Sequence, residues 1–491
     1  MRVAQLLWLA LPGISLAQQI AIGEYTVPTP NSGPLGIAAG PDGAMWFTEN
    51  HSGKIGRIAP SGAITEYPVS TGPTSPDGIA AGPDGALWFA DYGGKAIGRI
   101  ATSGAVTEYP VTFPGPDPLP MGIAAGPDGR MWYTLAINSS EVIGAITTAG
   151  DLTPYPASCD YANSIAAGSD GALWFTCFFN AAIQRITTSG STSSYSLPTQ
   201  SPGLESIAAG PDGALWFTEN TANQIGRITT AGVVSEYPVP TPSSGLMGIT
   251  AGPDGTLWFT ESSVNQIGRI TTTGGITEYP LPEAAGSPNQ IAAGPGGTLW
   301  FTDSYGRIGE VVFVTANLNV SPPSGFYRST LTFKGSRFAP HETVQIYYQG
   351  VGSNVLASAT ADAEGLFTVT AQAPQSPNGP RLFLGVGQSS AKLGAAGFSM
   401  ASHLVLSPTS GPPGAAVTVD GYGFDSFENV GLYWNNAHTP LGQAITNAAG
   451  TFNGSTALTF TVPAGAPTGP NAVLGHGSPA GPIGSAVFTV Q

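Results

Sequence analysis

The 491 residues carry 15 Lys and Arg against 30 Asp and Glu, a formal net charge of −15, with only 9% of residues charged. That balance excludes nucleic acid as a partner, because phosphate contacts need a basic face. The 68 glycines and 44 prolines suit many short strands joined by tight turns and leave little room for helix.

The chain opens with Met1-Arg2, an apolar run over residues 3–11 and the small-x-small stretch Ser15-Leu16-Ala17. This is the pattern of a signal peptide, cleaved near Ala17. The run is too short to span a bilayer, and no later stretch reads as a transmembrane segment. The mature protein is expected to be exported: secreted, periplasmic or at the cell surface.

From residue 36 the chain repeats itself. Gly36-Ile37-Ala38-Ala39-Gly40-Pro41-Asp42-Gly43-Ala44-Met45-Trp46-Phe47-Thr48-Glu49 returns with small changes, placing Trp46, Trp88, Trp132, Trp174, Trp216, Trp258 and Trp300 at steps of 42 or 44 residues. A period of about 40–50 residues marks a propeller, a solenoid or an array. Within one repeat, Ile37-Ala38-Ala39 reads as a short inner strand and Gly-Pro-Asp-Gly as a hairpin turn in which Pro presets φ and Gly takes positive φ. The aromatic run to Thr48, the segment Ile55 to Ala59 and the segment Ile64 to Val69 supply three more strands. Each repeat is therefore a four-stranded meander that must stack on its neighbours. The motifs Ile-Gly-Arg-Ile and Glu-Tyr-Pro predict cross-strand ion pairs: Arg57 with Glu66, Arg99 with Glu108, Arg227 with Glu236 and Arg269 with Glu278. The third repeat has Ala145 and Pro154 at these places, and the fourth keeps Arg185 opposite Ser194.

The seventh repeat stops after Val314 without its Glu-Tyr-Pro strand, and Gly23-Glu24-Tyr25-Thr26-Val27-Pro28 supplies it from the other end. The N-terminal strand should thus complete blade 7 and remove an open sheet edge. Glu310 stands where five of the other six repeats carry Arg. Cys159 and Cys177 fall in neighbouring loops of repeat four, either as a disulfide or as two buried thiols.

After Val314 the period vanishes. Ser321-Pro322-Pro323-Ser324-Gly325 and Ser407-Pro408-Thr409-Ser410-Gly411 each open a run of short alternating strands, which predicts two small β-sandwiches. They resemble the tandem immunoglobulin-like domains of bacterial surface proteins. The expected fold is all-β: a signal peptide over residues 1–17, a seven-bladed β-propeller over 18–314, and sandwiches over 315–401 and 402–491. The propeller segment holds 9 Lys and Arg against 24 Asp and Glu, so its acidity suits a cation or a neutral or cationic ligand.

The repeat Gly-Ile-x-x-Gly-Pro-Asp-Gly-x-Leu-Trp-Phe-Thr-Glu, followed by Ile-Gly-Arg-Ile and Glu-Tyr-Pro, resembles the virginiamycin B lyase (streptogramin B lyase) family over about residues 20–314. The resemblance implies a seven-bladed propeller that opens a cyclic depsipeptide by magnesium-dependent C–O elimination at the top of the channel. It places a Tyr before the first inner strand and a His before each of the last two, where this chain has Leu35, Met247 and Asn289. It places magnesium-linked Glu residues at Ser287 and near Asp303 and Ser304. Asp303 therefore remains as a weak catalytic candidate, with His51, the one propeller histidine. Elimination needs a base that titrates near neutrality, and none is evident at the family's positions.

The residues just before the seven inner strands are Leu35, Asp77, Met121, Asn163, Glu205, Met247 and Asn289. Equivalent positions in a ring converge on its axis. Asp77, Asn163, Glu205 and Asn289 offer the oxygen donors that Mg²⁺ or Ca²⁺ prefers, and Leu35, Met121, Met247 and Asn289 would meet a ligand. A second ring, Glu49, Asp91, Glu219, Glu261 and Asp303, ends the second strands. Three functions stay open. The first is a monomeric binding module for a cation and a small molecule, sugar or peptide, without lyase activity. The second is an active metal-dependent C–O lyase or lactone-opening hydrolase using a different base. The third is a structural or adhesive surface protein.

Overall fold

The computed structural model describes residues 20–491 apart from 61, 70, 71, 73, 113–117, 137–141, 160, 283–285, 349–354, 391, 436–438 and 478–482. Residues 1–17, expected from the sequence to be a signal peptide, lie outside the described residues. The chain divides into two compact units: Thr29–Phe313, and Val314–Gln491 together with the stretch ending at Pro28.

Among the described residues there are seven four-stranded antiparallel sheets, the blades of a β-propeller. Blade 1 runs Pro34–Ala39, Met45–Glu49, Lys54–Ile58 and Ile64–Pro68 from the inside outward. The Gly-Pro-Asp-Gly turn closes its first hairpin. Gly40 donates N–H to the Ala44 carbonyl at 2.8 Å, and Gly43 takes φ of 73°, a left-handed conformation that glycine adopts without Cβ strain. In blade 7 the strands Pro288–Ala293, Leu299–Asp303 and Arg307–Phe313 are completed by Ile20–Thr26 at the outer edge. The expected closure by the N-terminal strand is present. The inner end of the ring closes as well, with Thr302 Oγ1 donating to the Leu35 carbonyl at 2.6 Å and Asn289 Nδ2 to the Pro34 carbonyl at 3.0 Å.

The arginines do not pair as the sequence motifs predict. In the observed register Gly56 opposes Glu66, and Arg57 opposes Thr65. Successive strand residues point to opposite faces, so Arg57 and Glu66 lie on different faces of the blade. Arg57 instead reaches the turn, where its Nε lies 2.7 Å from Asp42 Oδ2, while Trp46 Nε1 donates to Asp42 Oδ1 at 3.1 Å. The guanidinium sits 5.8 Å from the Trp46 ring centroid, and Tyr67 of Glu-Tyr-Pro stacks on the same Trp at 5.6 Å. The unit recurs as Arg99–Asp84, Arg185–Asp170, Arg227–Asp212 and Arg269–Asp254. Hydrogen bonds from Trp and Arg hold the Asp carboxyls below the usual range, against the desolvation that would raise them.

This reading accounts for the exceptions. Blade 3 lost its strand arginine at Ala145 but holds Asp128 with Arg130, from inside the turn. Ser194 has no bearing on Arg185, because Asp170 is its partner. Blade 7 carries Gly296 where the turn Asp would be, and Trp300 Nε1 donates to Thr298 Oγ1 instead. With the turn carboxylate gone, the Arg position has no role, and Glu310 occupies it. We predict that Asp212→Ala costs more than Arg227→Ala: about 1–3 kcal/mol for leaving the buried Trp216 N–H unpaired, against about 1 kcal/mol for a part-exposed pair. Urea denaturation should show coupling between Asp212 and Arg227 and none between Arg227 and Glu236.

The second unit repeats one arrangement twice. A three-stranded sheet (Asn317–Ser321, Thr330–Ser336, Phe367–Gln372) shares a core of Leu331, Phe333, Phe383 and Phe398 with a five-stranded sheet that includes Gly379–Gly387 and Leu393–Met400. The following segment builds the same three and five strands around Val417, Val419, Phe424, Phe452 and Phe488. No helix among the described residues is long and apolar enough to cross a membrane.

Candidate functional site at the channel mouth

A repeated threonine sets the mouth residues. Thr48 Oγ1 accepts the Gly36 N–H at 2.8 Å and donates to the Asp77 carbonyl at 2.7 Å, joining blade 1 to blade 2. Thr134 does the same for Asn163, Thr176 for Glu205, Thr218 for Met247 and Thr260 for Asn289. Blade 2 has Ala90 there, so the Met121 carbonyl lacks this donor. Gly or Ser follows six of the seven mouth positions, Gln290 being the exception, because the backbones nearly touch: a Cβ on Gly36 would lie 2.4 Å from the Asp77 carbonyl oxygen.

The side chains sort into two groups. Asp77, Asn163 and Glu205 come together. Asn163 Nδ2 donates to Glu205 Oε2 at 2.6 Å, and the Glu205 charge acts on Asp77. Asp77 keeps part of its surface open to the channel, but the surrounding protein withholds water from it. That desolvation, and Glu205 after it, push the Asp77 carboxyl up to about 7. Burial likewise raises Glu205, against the Asn163 hydrogen bond. Asn289 is drawn away from this cluster: its amide is tied to Pro34 and Ser304 at the seam of blades 7 and 1. Leu35, Met121 and Met247 are half-buried around the same mouth.

Tyr161 belongs to the cluster, and the repeat did not single it out. It takes φ of 68° two residues before Asn163, and burial, with Tyr92, Asp77 and Glu205 nearby, raises its hydroxyl pKa. Phe178 and Phe179 meet its ring edge-on at 5.9 and 5.8 Å, and Phe179 is 69% exposed. The sequence signal was the loop Cys177-Phe178-Phe179-Asn180, which puts Cys-Phe, and then a second aromatic residue, where repeats 1 and 5 have Glu-Asn and the residue after it. Cys159 and Cys177 form a disulfide beneath it.

The family's own positions differ. Ser287 Oγ is bonded to Ser262 Oγ at 2.7 Å. Asp303 is fully buried; Arg307 Nη2 lies 2.7 Å from its Oδ2, and the Tyr305 N–H donates to its Oδ1 at 2.8 Å. A carboxylate so neutralised and hydrogen-bonded does not fit a magnesium ligand. His51 is exposed and lies against Gly33. Among the described residues no three His, Cys, Asp or Glu side chains form a metal-holding group; the mouth offers two carboxylates and an amide.

The family model described as the virginiamycin B lyase family matches residues 15–164 and 136–320. The chain belongs to the virginiamycin B lyase family. A streptogramin B lyase structure is 39% identical, with a TM-score of 0.57, and the match covers 60% of this chain and 98% of that one. A catalytically inactive histidine-to-alanine variant of virginiamycin B lyase from Staphylococcus aureus, solved with quinupristin, is 37% identical, with the same TM-score, over 60% of this chain and 100% of that one. The curated virginiamycin B lyase of Saccharopolyspora erythraea is 60% identical over 43 residues, which span 9% of this chain and 14% of that protein's length. Family membership thus covers the propeller, and the sandwiches lie outside the matched residues except for residues 317–320 of the first strand.

Proposed function

We propose that this is an exported, ligand-binding member of the virginiamycin B lyase family. Its propeller mouth holds a divalent cation, Mg²⁺ or Ca²⁺, through Asp77, Asn163 and Glu205, and an amphiphilic small molecule against Leu35, Met121, Met247 and Tyr161. The observation that carries the reading is the convergence of two mutually repelling carboxyls and an amide at the channel axis. A cation would relieve that repulsion with oxygen donors of the preferred kind, and the adjoining apolar and aromatic wall suits partial burial of a ligand. The family's histidine-dependent elimination is absent in this reading: the two histidine positions that the resemblance implies are Met247 and Asn289. The sandwiches, read as immunoglobulin-like spacers, would hold the propeller away from a surface.

Calorimetry and thermal melting with Mg²⁺ and with Ca²⁺ test it. Saturation at a hundredfold excess over Kd should stabilise the protein by about 2.7 kcal/mol. Asp77→Ala with Glu205→Ala should remove the mouth's share of the heat and of the melting shift. Unchanged heats in the double variant would refute the mouth site.

One observation favours catalysis instead. With its carboxyl pushed up to about 7, Asp77 is matched to the task of a general base at neutral pH. Under that reading a streptogramin B incubated with protein and Mg²⁺ would be linearised, as seen by mass spectrometry, and Asp77→Asn would abolish the product. An intact depsipeptide after prolonged incubation supports the binding reading.

A further inference from the structure

The second ring of acids, at the ends of the second strands, faces a partner that the sequence pattern had assigned to arginine. Burial followed by the Glu66 charge raises Glu49, and Glu236 and Glu278 act in the same way on Glu219 and Glu261. Glu108 feels Asp91 likewise. The acids come and go together. Blades 1, 2, 5 and 6 have both members, while blades 3 and 4 replace both, with Leu135 and Pro154, and with Cys177 and Ser194. Two like charges kept as a pair in a buried place imply something positive between them.

Two blades carry that positive charge covalently. The residue opposite Glu49 in the ladder is Lys54, whose Nζ lies 2.9 Å from Glu66 Oε2. The residue opposite Asp303 in blade 7 is Arg307, 2.7 Å from its carboxylate. In blade 6 the same register position, opposite Glu261, is the neutral Gln266. There Glu261 is fully buried, and neither of its oxygens nor Gln266 Oε1 meets a donor in hydrogen-bonding geometry; the Ser244 hydroxyl and the Glu278 carboxyl approach Glu261, but that hydroxyl donates to Asn223 Oδ1 at 2.9 Å. Glu278 is held from the far side by the N–H and hydroxyl of Thr241, both at 2.9 Å. One shared proton would satisfy one of these three open oxygens.

We propose that blade 6 binds a divalent cation, calcium by its all-oxygen donor chemistry, between Glu261, Glu278 and the amide oxygen of Gln266. The ion does there what the Lys54 ammonium does in blade 1 and the Arg307 guanidinium in blade 7. Carboxylate and amide oxygens suit Ca²⁺, which tolerates irregular geometry and completes its shell with water. Blade 5 repeats the arrangement as Glu219, Glu236 and Gln224: the Thr199 hydroxyl donates to Glu236 Oε2 at 2.8 Å and lies 3.5 Å from Gln224 Oε1, so Gln224→Lys puts the same question to that blade.

The test uses the full chain carrying Asp77→Ala and Glu205→Ala, so that it does not depend on the mouth site. Equilibrium dialysis with Ca²⁺ should then count one ion per chain fewer after Gln266→Lys, which tethers an ammonium at the site as blade 1 does. In EDTA that variant should melt above its parent, and Ca²⁺ should raise its melting temperature less. Glu261→Gln, nearly isosteric, should also lose one ion, with folding checked by circular dichroism. A parent that binds no Ca²⁺, or folded variants that bind as many ions as the parent, would overturn the proposal and leave a shared proton as the bridge.

Discussion

Deletion of residues 20–28 is expected to lower the melting temperature of the propeller by on the order of 10 °C, or to cause aggregation. The strand Ile20–Thr26 forms the outer edge of blade 7, and Ala21, Tyr25 and Val27 are buried. Losing it returns large side chains to water at about 1.5–3 kcal/mol each and leaves Arg307–Phe313 as an unpaired edge, a template for association between chains. The hydrogen bonds from Thr302 and Asn289 to blade 1 would remain, so the ring should loosen from the outside before it opens at the channel. Differential scanning calorimetry of the deleted and full chains decides this, and unchanged melting would mean that the inner seam alone latches the ring.

The second large effect concerns pH. Glu49 is pushed up to about 7 and Glu219 to about 8, in each case first by burial and then by the facing Glu66 or Glu236; for Glu49, Lys54 and Ser52 act in the opposite direction. A folded-state pKa above the unfolded value means that the native state holds the proton more tightly. The stabilisation is complete below the unfolded value of 4.5 and is lost as pH rises through 7 to 8. The turn aspartates behave oppositely. Their lowered values give stability that is present above 3.8 and is lost as pH falls below it. In EDTA the chain should therefore be most stable near pH 5 and melt roughly 10 °C lower at pH 8.5. Glu219→Gln should flatten the alkaline side and raise the melting temperature at pH 8.5. A flat profile between pH 5 and 8.5 would show that these acids are ionised throughout.

The architecture was legible in the sequence because a propeller is written in local terms. Trp, Gly-Pro-Asp-Gly and Glu-Tyr-Pro recur at a fixed period, and the missing fourth strand of blade 7 could be located by finding its motif at the other end of the chain. Membership of the family and the equivalence of the seven mouth positions followed from the same repeat. Register did not follow. A shift of one residue turns Arg57 from Glu66 toward Asp42, and an alternating pattern alone does not fix which of two neighbours faces a given side chain. The same shift separated two covariations that the sequence had merged: arginine travels with the turn aspartate, and the outer glutamate travels with the acid ending the second strand. Nor could the repeat tell which mouth residues meet. Asp77, Asn163 and Glu205 come from three blades and converge only once the ring has closed, whereas Asn289, equivalent in sequence, is captured by the seam beside it. The unusual carboxyls at the mouth and in the blades arise from desolvation and like charge, and both exist only after distant strands have packed together.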